Sequence, residues 1–130
     1  MATILVIEDH AVFGKALVRL LSARADFDVV GVLRSGEEAM EKLPELAVDL
    51  ALIDVSLARM NGIELVRTIK ERFPELLCMM LSGHMTPFYV ERSLEAGARG
   101  YVLKEDILGV LEGIEQVLKG EIYVSKALRT

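Results

Sequence analysis

The chain is short of several things. It has a single cysteine, Cys78, so no disulfide can close within it. Its 130 residues hold no apolar run near the ~20 that a membrane-spanning helix needs. The N-terminus lacks the basic start of a secretory signal, so a cytoplasmic location is the expectation, with no membrane partner. Basic residues are in deficit: 15 Lys and Arg against 20 Asp and Glu give a net charge of −5. That argues against direct nucleic-acid binding by this domain, because such surfaces usually carry a basic stripe. Neither GxGxxG nor a phosphate loop (GxxxxGK followed by Ser or Thr) occurs, so a dinucleotide or P-loop site has no support. Linkers, repeats and low-complexity tracts are also missing, which leaves one domain of ordinary size.

What is present is an alternation of two hydrophobic patterns. Short apolar runs fall at Thr3 to Ile7, Asp28 to Val32, Leu50 to Asp54, Leu76 to Leu81 and Gly100 to Leu103. Between and after them lie amphipathic stretches. Val12 to Arg24 predicts a helix with a broad apolar face of Val12, Phe13, Ala16, Leu17, Leu20 and Leu21. Ser35 with Glu38 has capping-box spacing, and Ala39, Leu43 and Leu46 form an inner stripe that Pro44 bends or ends. Gly62 opens a helix with Leu65, Val66, Ile69 and Phe73 inward, closed by Pro74. Thr86 is placed to cap a helix with Pro87 at its first position, ending near Gly97. The last helix spans about Asp106 to Lys119, with Ile107, Leu111, Ile114 and Leu118 on one stripe. Five βα units predict an α/β domain of three layers: a doubly wound parallel sheet between helices. The crossover rule narrows the topology without fixing strand order.

In open α/β sheets, ligands bind beyond the C-terminal ends of the strands. The polar residues at those ends are Glu8, Asp9, Asp54, Ser82 and Lys104. If strands one, three, four and five are neighbours, these side chains share one crevice. Crowded carboxylates repel, and a hard divalent cation such as Mg²⁺ relieves the repulsion. Lys104 adds a point charge suited to an oxyanion, and Ser82 a neutral hydroxyl. A carboxylate among such groups can attack phosphorus and form an acyl phosphate. Asp54 is the best nucleophile, since it lies between the acidic pair and the Ser82–Lys104 side.

These residues carry a family resemblance. ILVIEDH at 4–10, LALIDVSLARMNG at 50–62, MLSG at 80–83 and GARGYVLKED at 97–106, in this order, resemble the receiver domain of bacterial two-component response regulators. The resemblance runs from Thr3 to about Tyr123, so residues 1–123 are expected to form the receiver and 124–130 a tail. It implies a flavodoxin-like sheet of order 2-1-3-4-5. It implies Asp54 as phosphoacceptor and Glu8 and Asp9 as the Mg²⁺-binding pair, with the Ser56 carbonyl also reaching the metal. Ser82 and Tyr101 resemble the switch pair, and Lys104 the lysine that pairs with phosphoryl oxygens. Implied too are a sensor histidine kinase as donor and a changed surface of helix four, strand five and helix five. That surface would form a homodimer or release an output domain, so the chain is a signalling switch rather than an enzyme on an external substrate.

His10, DVVGVLRSGEEAM at 28–40 and GYVLKED resemble the branch with a C-terminal LuxR-type helix-turn-helix domain that regulates transcription. GEIYVSKALRT resembles the start of the link to such a domain, which favours an excised receiver over a stand-alone one. Two features depart from the family pattern: Glu8 where Asp is commoner, and Leu57-Ala58 where Met-Pro is usual. Neither removes a reacting group.

Other readings stand beside this one. An aspartyl-nucleophile phosphohydrolase would need a cap to exclude water, and no insertion here could form one. A phosphorylation-independent interaction module would bind its partner with or without Asp54. His10 and His84 read as modulators of access or partner contact rather than metal ligands. Cys78 reads as a small buried filler, and Met79, Met80 and Met85 as core or rim.

Overall fold

The structure is a computed structural model and describes residues 1–129. Its sheet is parallel throughout, with strands β1 (Ala2–Ile7), β2 (Phe27–Leu33), β3 (Leu50–Asp54), β4 (Leu77–Ser82), β5 (Gly100–Leu103) and β6 (Tyr123–Val124). The order is β2-β1-β3-β4-β5-β6. The helices are α1 (Ala11–Ser22), α2 (Gly36–Lys42), α3 (Gly62–Arg72), α4 (Pro87–Ala96) and α5 (Ile107–Leu118). This is the doubly wound α/β architecture expected from the alternation, with one strand more.

Residue alternation in the strands divides the core in two. Leu5, Ile7, Ala51, Ile53, Cys78, Met80 and Tyr101 face one side, against Ala39 of α2, Leu65, Val66 and Ile69 of α3 and Ala96 of α4. Ile4, Val6, Leu50, Leu52, Met79, Leu81 and Val102 face the other, against Leu17 and Leu21 of α1 and Val110, Ile114 and Val117 of α5. Central strands buried on both faces explain why β3 and β4 read as unbroken apolar runs. Cys78 is fully buried, and burial pushes its thiol up to about 12, as befits a filler.

Two helix faces differ from expectation. Val12 is 85% exposed and Ala16 is also exposed, so α1 presents only Gly14, Leu17 and Leu21 fully inward. In α5, Ile107 is exposed and the buried stripe is Val110, Ile114 and Val117. Both helices are apolar around more of their circumference than the sheet can cover, so periodicity alone did not choose the face.

Local polar groups fix the helix starts. Ser35 Oγ accepts from Glu38 N at 3.1 Å, while Glu38 Oε1 accepts from Arg34 N at 2.8 Å, closing the capping box one residue early. Asn61 caps α3 through Glu64 N (2.9 Å) and Asp106 caps α5 through Gly109 N (3.0 Å). The Thr86 side chain makes no capping bond, contrary to expectation, and Pro87 alone marks the start of α4. Gly97 closes α4 at φ +116°, where a side chain would be strained.

The tail is built into the sheet. Tyr123 and Val124 pair with Gly100 and Tyr101. Buried Ser125 accepts from Leu103 N at 3.0 Å and donates to Asp106 Oδ2 at 2.8 Å, tying the tail to both ends of the β5–α5 loop. Ser125→Ala leaves the Leu103 N–H without a partner and frees Asp106 Oδ2. The expected result is a loss of about 2 kcal/mol in urea unfolding, with faster proteolysis after Gly120. An unchanged unfolding midpoint would show that the tail contributes nothing to the fold.

Candidate functional site

Strand register sets the site. Ile7 lies beside Ile53, Asp54 beside Leu81, and Ser82 beside Leu103. The residues that end or follow β1, β3, β4 and β5 therefore emerge at one level, and Glu8, Asp9, Asp54, Ser82 and Lys104 share the crevice that the sequence anticipated. A separate hollow lies at the opposite end of the sheet, lined by Leu43, Leu46, Asp49, Phe73, Glu75 and Leu77 among others.

Lys104 crosses the crevice. Its Nζ stands 2.8 Å from Glu8 Oε1 and 3.0 Å from Asp54 Oδ2, and 4.9 Å above the Phe13 ring centre. Glu8 and Asp54 are each 1% exposed. Asp54 Oδ1 accepts from Ser56 N at 3.0 Å, which directs the carboxylate along the loop after β3. Burial raises the Glu8 carboxyl above its ordinary range, and the neighbouring Asp54 raises it further. Burial pushes Asp54 upward as well. Its hydrogen bonds with Glu8, Ser56 N–H and Lys104 outweigh that and hold it below the usual carboxylate range. Burial pulls Lys104 down, but its two carboxylate partners win and keep it charged. Two like-charged acids at close range are thus pushed apart: Glu8 is shifted toward its neutral form and Asp54 toward its charged one.

The switch-like residues lie on the β4–α4 side. Ser82 Oγ accepts from His84 N at 2.8 Å, so its hydroxyl is held by its own loop. Tyr101 is fully buried, and its hydroxyl donates to the His84 carbonyl at 3.0 Å. His84 Nε2 lies 3.1 Å from Ser56 Oγ and joins the β3–α3 and β4–α4 loops above Asp54.

One residue was discounted from sequence and is nevertheless here. His10 Nδ1 lies 3.2 Å from Glu8 Oε2, 3.4 Å from Asp9 Oδ1 and 3.9 Å from Asp54 Oδ2. Glu8, Asp9, His10 and Asp54 each offer an atom, and these atoms lie within 4.8 Å of one another. The signal for it was adjacency: His10 directly follows the acidic pair and directly precedes α1, so the helix start aims it back at the crevice.

The donor set suits a divalent cation. Three carboxylates lie together, and Asp9 Oδ1 is buried with no hydrogen-bond partner among the described residues and only the His10 ring, 3.4 Å away, beside it. A buried carboxylate oxygen left so is costly unless something positive reaches it. The surplus of negative charge gives a prediction. Glu8→Gln mimics the neutral form toward which burial and Asp54 push this carboxyl. Glu8's folded value is raised, so its contribution to stability is present below its unfolded value and lost as pH rises through the folded one. At pH 7 without divalent cations, Glu8→Gln is expected to raise Tm by a few degrees and to remove most of the stabilisation that added Mg²⁺ brings. A fall in Tm would mean that the Lys104–Glu8 pair outweighs the repulsion.

Comparison with known proteins agrees with this geometry. Residues 4–124 match the response regulator receiver domain family. The transcriptional regulatory protein DegU of Brevibacillus brevis is 34% identical over 122 residues, covering 93% of this chain and 52% of that protein. The DNA-binding transcriptional activator DevR/DosR of Mycobacterium tuberculosis is 40% identical over 110 residues, covering 85% of this chain and 50% of that protein. The chain thus spans about half the length of these relatives. A LuxR-family two-component response regulator from an Aurantimonas species superposes with a TM-score of 0.95 at 27% identity, over 98% of this chain and 92% of that one. The isolated receiver of RcsB from Salmonella enterica serovar Typhimurium, in the presence of a beryllofluoride phosphomimetic, shares the fold at a TM-score of 0.90 and 21% identity, over 98% of this chain and 95% of that one. Among the described residues no helix is long and apolar enough to cross a membrane. An acidic cluster at the C-terminal edge of a β2-β1-β3-β4-β5 sheet is consistent with the phosphoacceptor and Mg²⁺ pocket of that family, and the chain belongs to the response regulator receiver domains, not to enzymes that turn over an external substrate.

Proposed function

We propose that Asp54 accepts a phosphoryl group from a phosphohistidine of a sensor kinase, and that the resulting acyl phosphate resets the β4–α4 loop. One observation carries this reading: Asp54 is buried, ionised and 3.0 Å from a charged lysine, at the end of the strand where ligands of this fold bind. Asp54 Oδ attacks phosphorus as the donor's P–N bond breaks, and the leaving imidazole takes up a proton. Lys104 then transfers its hydrogen bond from the carboxylate to a phosphoryl oxygen. Asp9, Asp54 and the Ser56 carbonyl are the groups to hold Mg²⁺, with Glu8 orienting it through water. When bound, the cation neutralises charge on the transferring phosphoryl group.

The response follows from what Ser82 does now. Its Oγ accepts from His84 N, and a phosphoryl oxygen in the crevice offers an acceptor for the hydroxyl proton, which Ser82 reaches by turning away from that loop. Turning Ser82 inward draws the loop that carries the His84 carbonyl, to which Tyr101 is bonded. Tyr101 already lies inward, so the motion belongs to residues 82–86 more than to the ring. The α4–β5–α5 surface then changes. Tyr123 and Val124 lie along β5, so an output domain or second copy using that surface meets β6 as well. A helix-turn-helix output domain beyond residue 130, like those of LuxR-family regulators, fits the half-length match to the relatives.

The test is intact-protein mass after brief incubation with phosphoramidate and Mg²⁺. One added phosphoryl group is expected, absent with a chelator and removed by hydroxylamine. No adduct, together with no effect of beryllofluoride on the amide spectrum, would favour a phosphorylation-independent module. Steady turnover of a phosphomonoester would favour a hydrolase.

A further inference from the structure

We propose that His10 is a direct cation ligand and makes this pocket selective for nitrogen-seeking divalent ions such as Ni²⁺ and Co²⁺ over Mg²⁺. The proposal rests on the reading that Asp9 and Asp54 hold a cation. It concerns what the fourth donor does to the choice of ion.

The four donor atoms lie within 4.8 Å of one another, a little wider than a closed coordination shell. Ligand atoms about 2.1 Å from a common ion lie about 3 Å apart when adjacent and about 4.2 Å apart when opposite. His10 Nδ1 stands 3.4 and 3.9 Å from oxygens of Asp9 and Asp54, both inside that span, and 3.2 Å from Glu8 Oε2, its hydrogen-bond partner. Its backbone is fixed on both sides. His10 N donates to Glu8 Oε2 at 3.1 Å, and its carbonyl accepts from Gly14 N in the first turn of α1. The imidazole is mostly exposed, at 67%, so it closes the pocket from the solvent side, opposite the buried carboxylates. His84 cannot serve in its place, because its Nε2 is engaged with Ser56 Oγ.

Donor chemistry then sets the preference. Carboxylates, carbonyls and water suit Mg²⁺, which dehydrates reluctantly and gains little from imidazole. Nickel and cobalt gain much from a neutral imidazole nitrogen. An oxygen-only pocket already favours them somewhat, so the diagnostic is how much of the preference depends on His10.

The experiment is calorimetric titration of tag-free protein with Mg²⁺, Co²⁺ and Ni²⁺, for wild type, His10→Ala, His84→Ala and Asp9→Asn. The visible spectrum of the Co²⁺ complex is recorded alongside. His10→Ala is expected to weaken Ni²⁺ and Co²⁺ by about tenfold or more while Mg²⁺ stays within about twofold. The Co²⁺ bands should change in His10→Ala only, with His84→Ala like wild type. Equal losses for all three ions, no loss, or tighter binding on removing His10 would each overturn the proposal. In those cases the imidazole acts as a general charge, a bystander or a plug. Asp9→Asn separates this from the underlying reading. If it leaves Mg²⁺ binding intact, the acidic pocket is not the cation site and both fall. If it abolishes Mg²⁺ binding while His10→Ala changes nothing, only the role of His10 falls.

Discussion

Asp54→Ala gives no phosphoryl adduct with phosphoramidate and Mg²⁺, against one in the wild type, and the fold survives. Glu8 and Asp9 stand nearby but cannot replace it. Glu8 is shifted toward its neutral form and has both oxygens engaged, by His10 N and Lys104, while Asp9 lies off the position that Lys104 addresses. The stability change at pH 7 should be within about 1 kcal/mol, because two effects oppose. Losing Asp54 deprives Lys104 of one partner, but it also removes the like charge that raises Glu8 and leaves the Lys104–Glu8 pair in place. The acid limb separates them. Asp54 has a lowered folded value, so its contribution to stability is present above its unfolded value and lost as pH falls through the folded one. Urea midpoints of Asp54→Ala should therefore fall less steeply than those of the wild type below about pH 4. A surviving adduct, mapped to Glu8 or Asp9, would assign the chemistry to the wrong acid.

The site was legible in the sequence because its residues sit at strand ends, and strand ends are what hydrophobic patterning marks best. β3 and β5 fall on the residues anticipated, which placed Asp54 and Lys104 without any coordinates. Strand order was not legible from patterning; it came with the family resemblance. What else escaped did so for physical reasons. The inner faces of α1 and α5 escaped because Val12, Ala16 and Ile107 are apolar yet turned to solvent. Strand β6 escaped because two residues carry no period, and because its anchor is a buried serine rather than an apolar run. The place of His10 depends on where α1 begins and which way the chain leaves β1, and composition records neither.

Gly62→Ala is the substitution with the largest expected effect on the fold, and it strikes the site through the backbone. Gly62 is the first residue of α3, and its N–H donates to the Val55 carbonyl at 2.9 Å. A Cβ there would lie 2.1 Å from the Asp54 carbonyl oxygen and 3.0 Å from Met80 Cε. The methionine can swing aside. The carbonyl cannot, because it belongs to the last residue of a central strand buried on both faces. The helix must therefore lift off β3, opening the packing of Leu65 and Val66 against Ile53 and Met80. Overpacking against backbone is expected to cost about 3 kcal/mol, or about 10 °C in Tm. The same displacement shifts the loop that carries Ser56, whose N–H orients the Asp54 carboxylate. Phosphoryl transfer should then slow by about tenfold even where the variant is fully folded. Gly109 offers the control, since a Cβ there would lie 2.0 Å from Asp106 Oδ2, a side-chain atom able to rotate away. Gly109→Ala should lose the cap of α5 and the Ser125–Asp106 bond, at about 2 kcal/mol, and leave the phosphorylation rate nearly unchanged. If both variants slow phosphorylation equally, general destabilisation is responsible. If only Gly62→Ala does, the close contact of α3 with the phosphoacceptor strand is what aims Asp54.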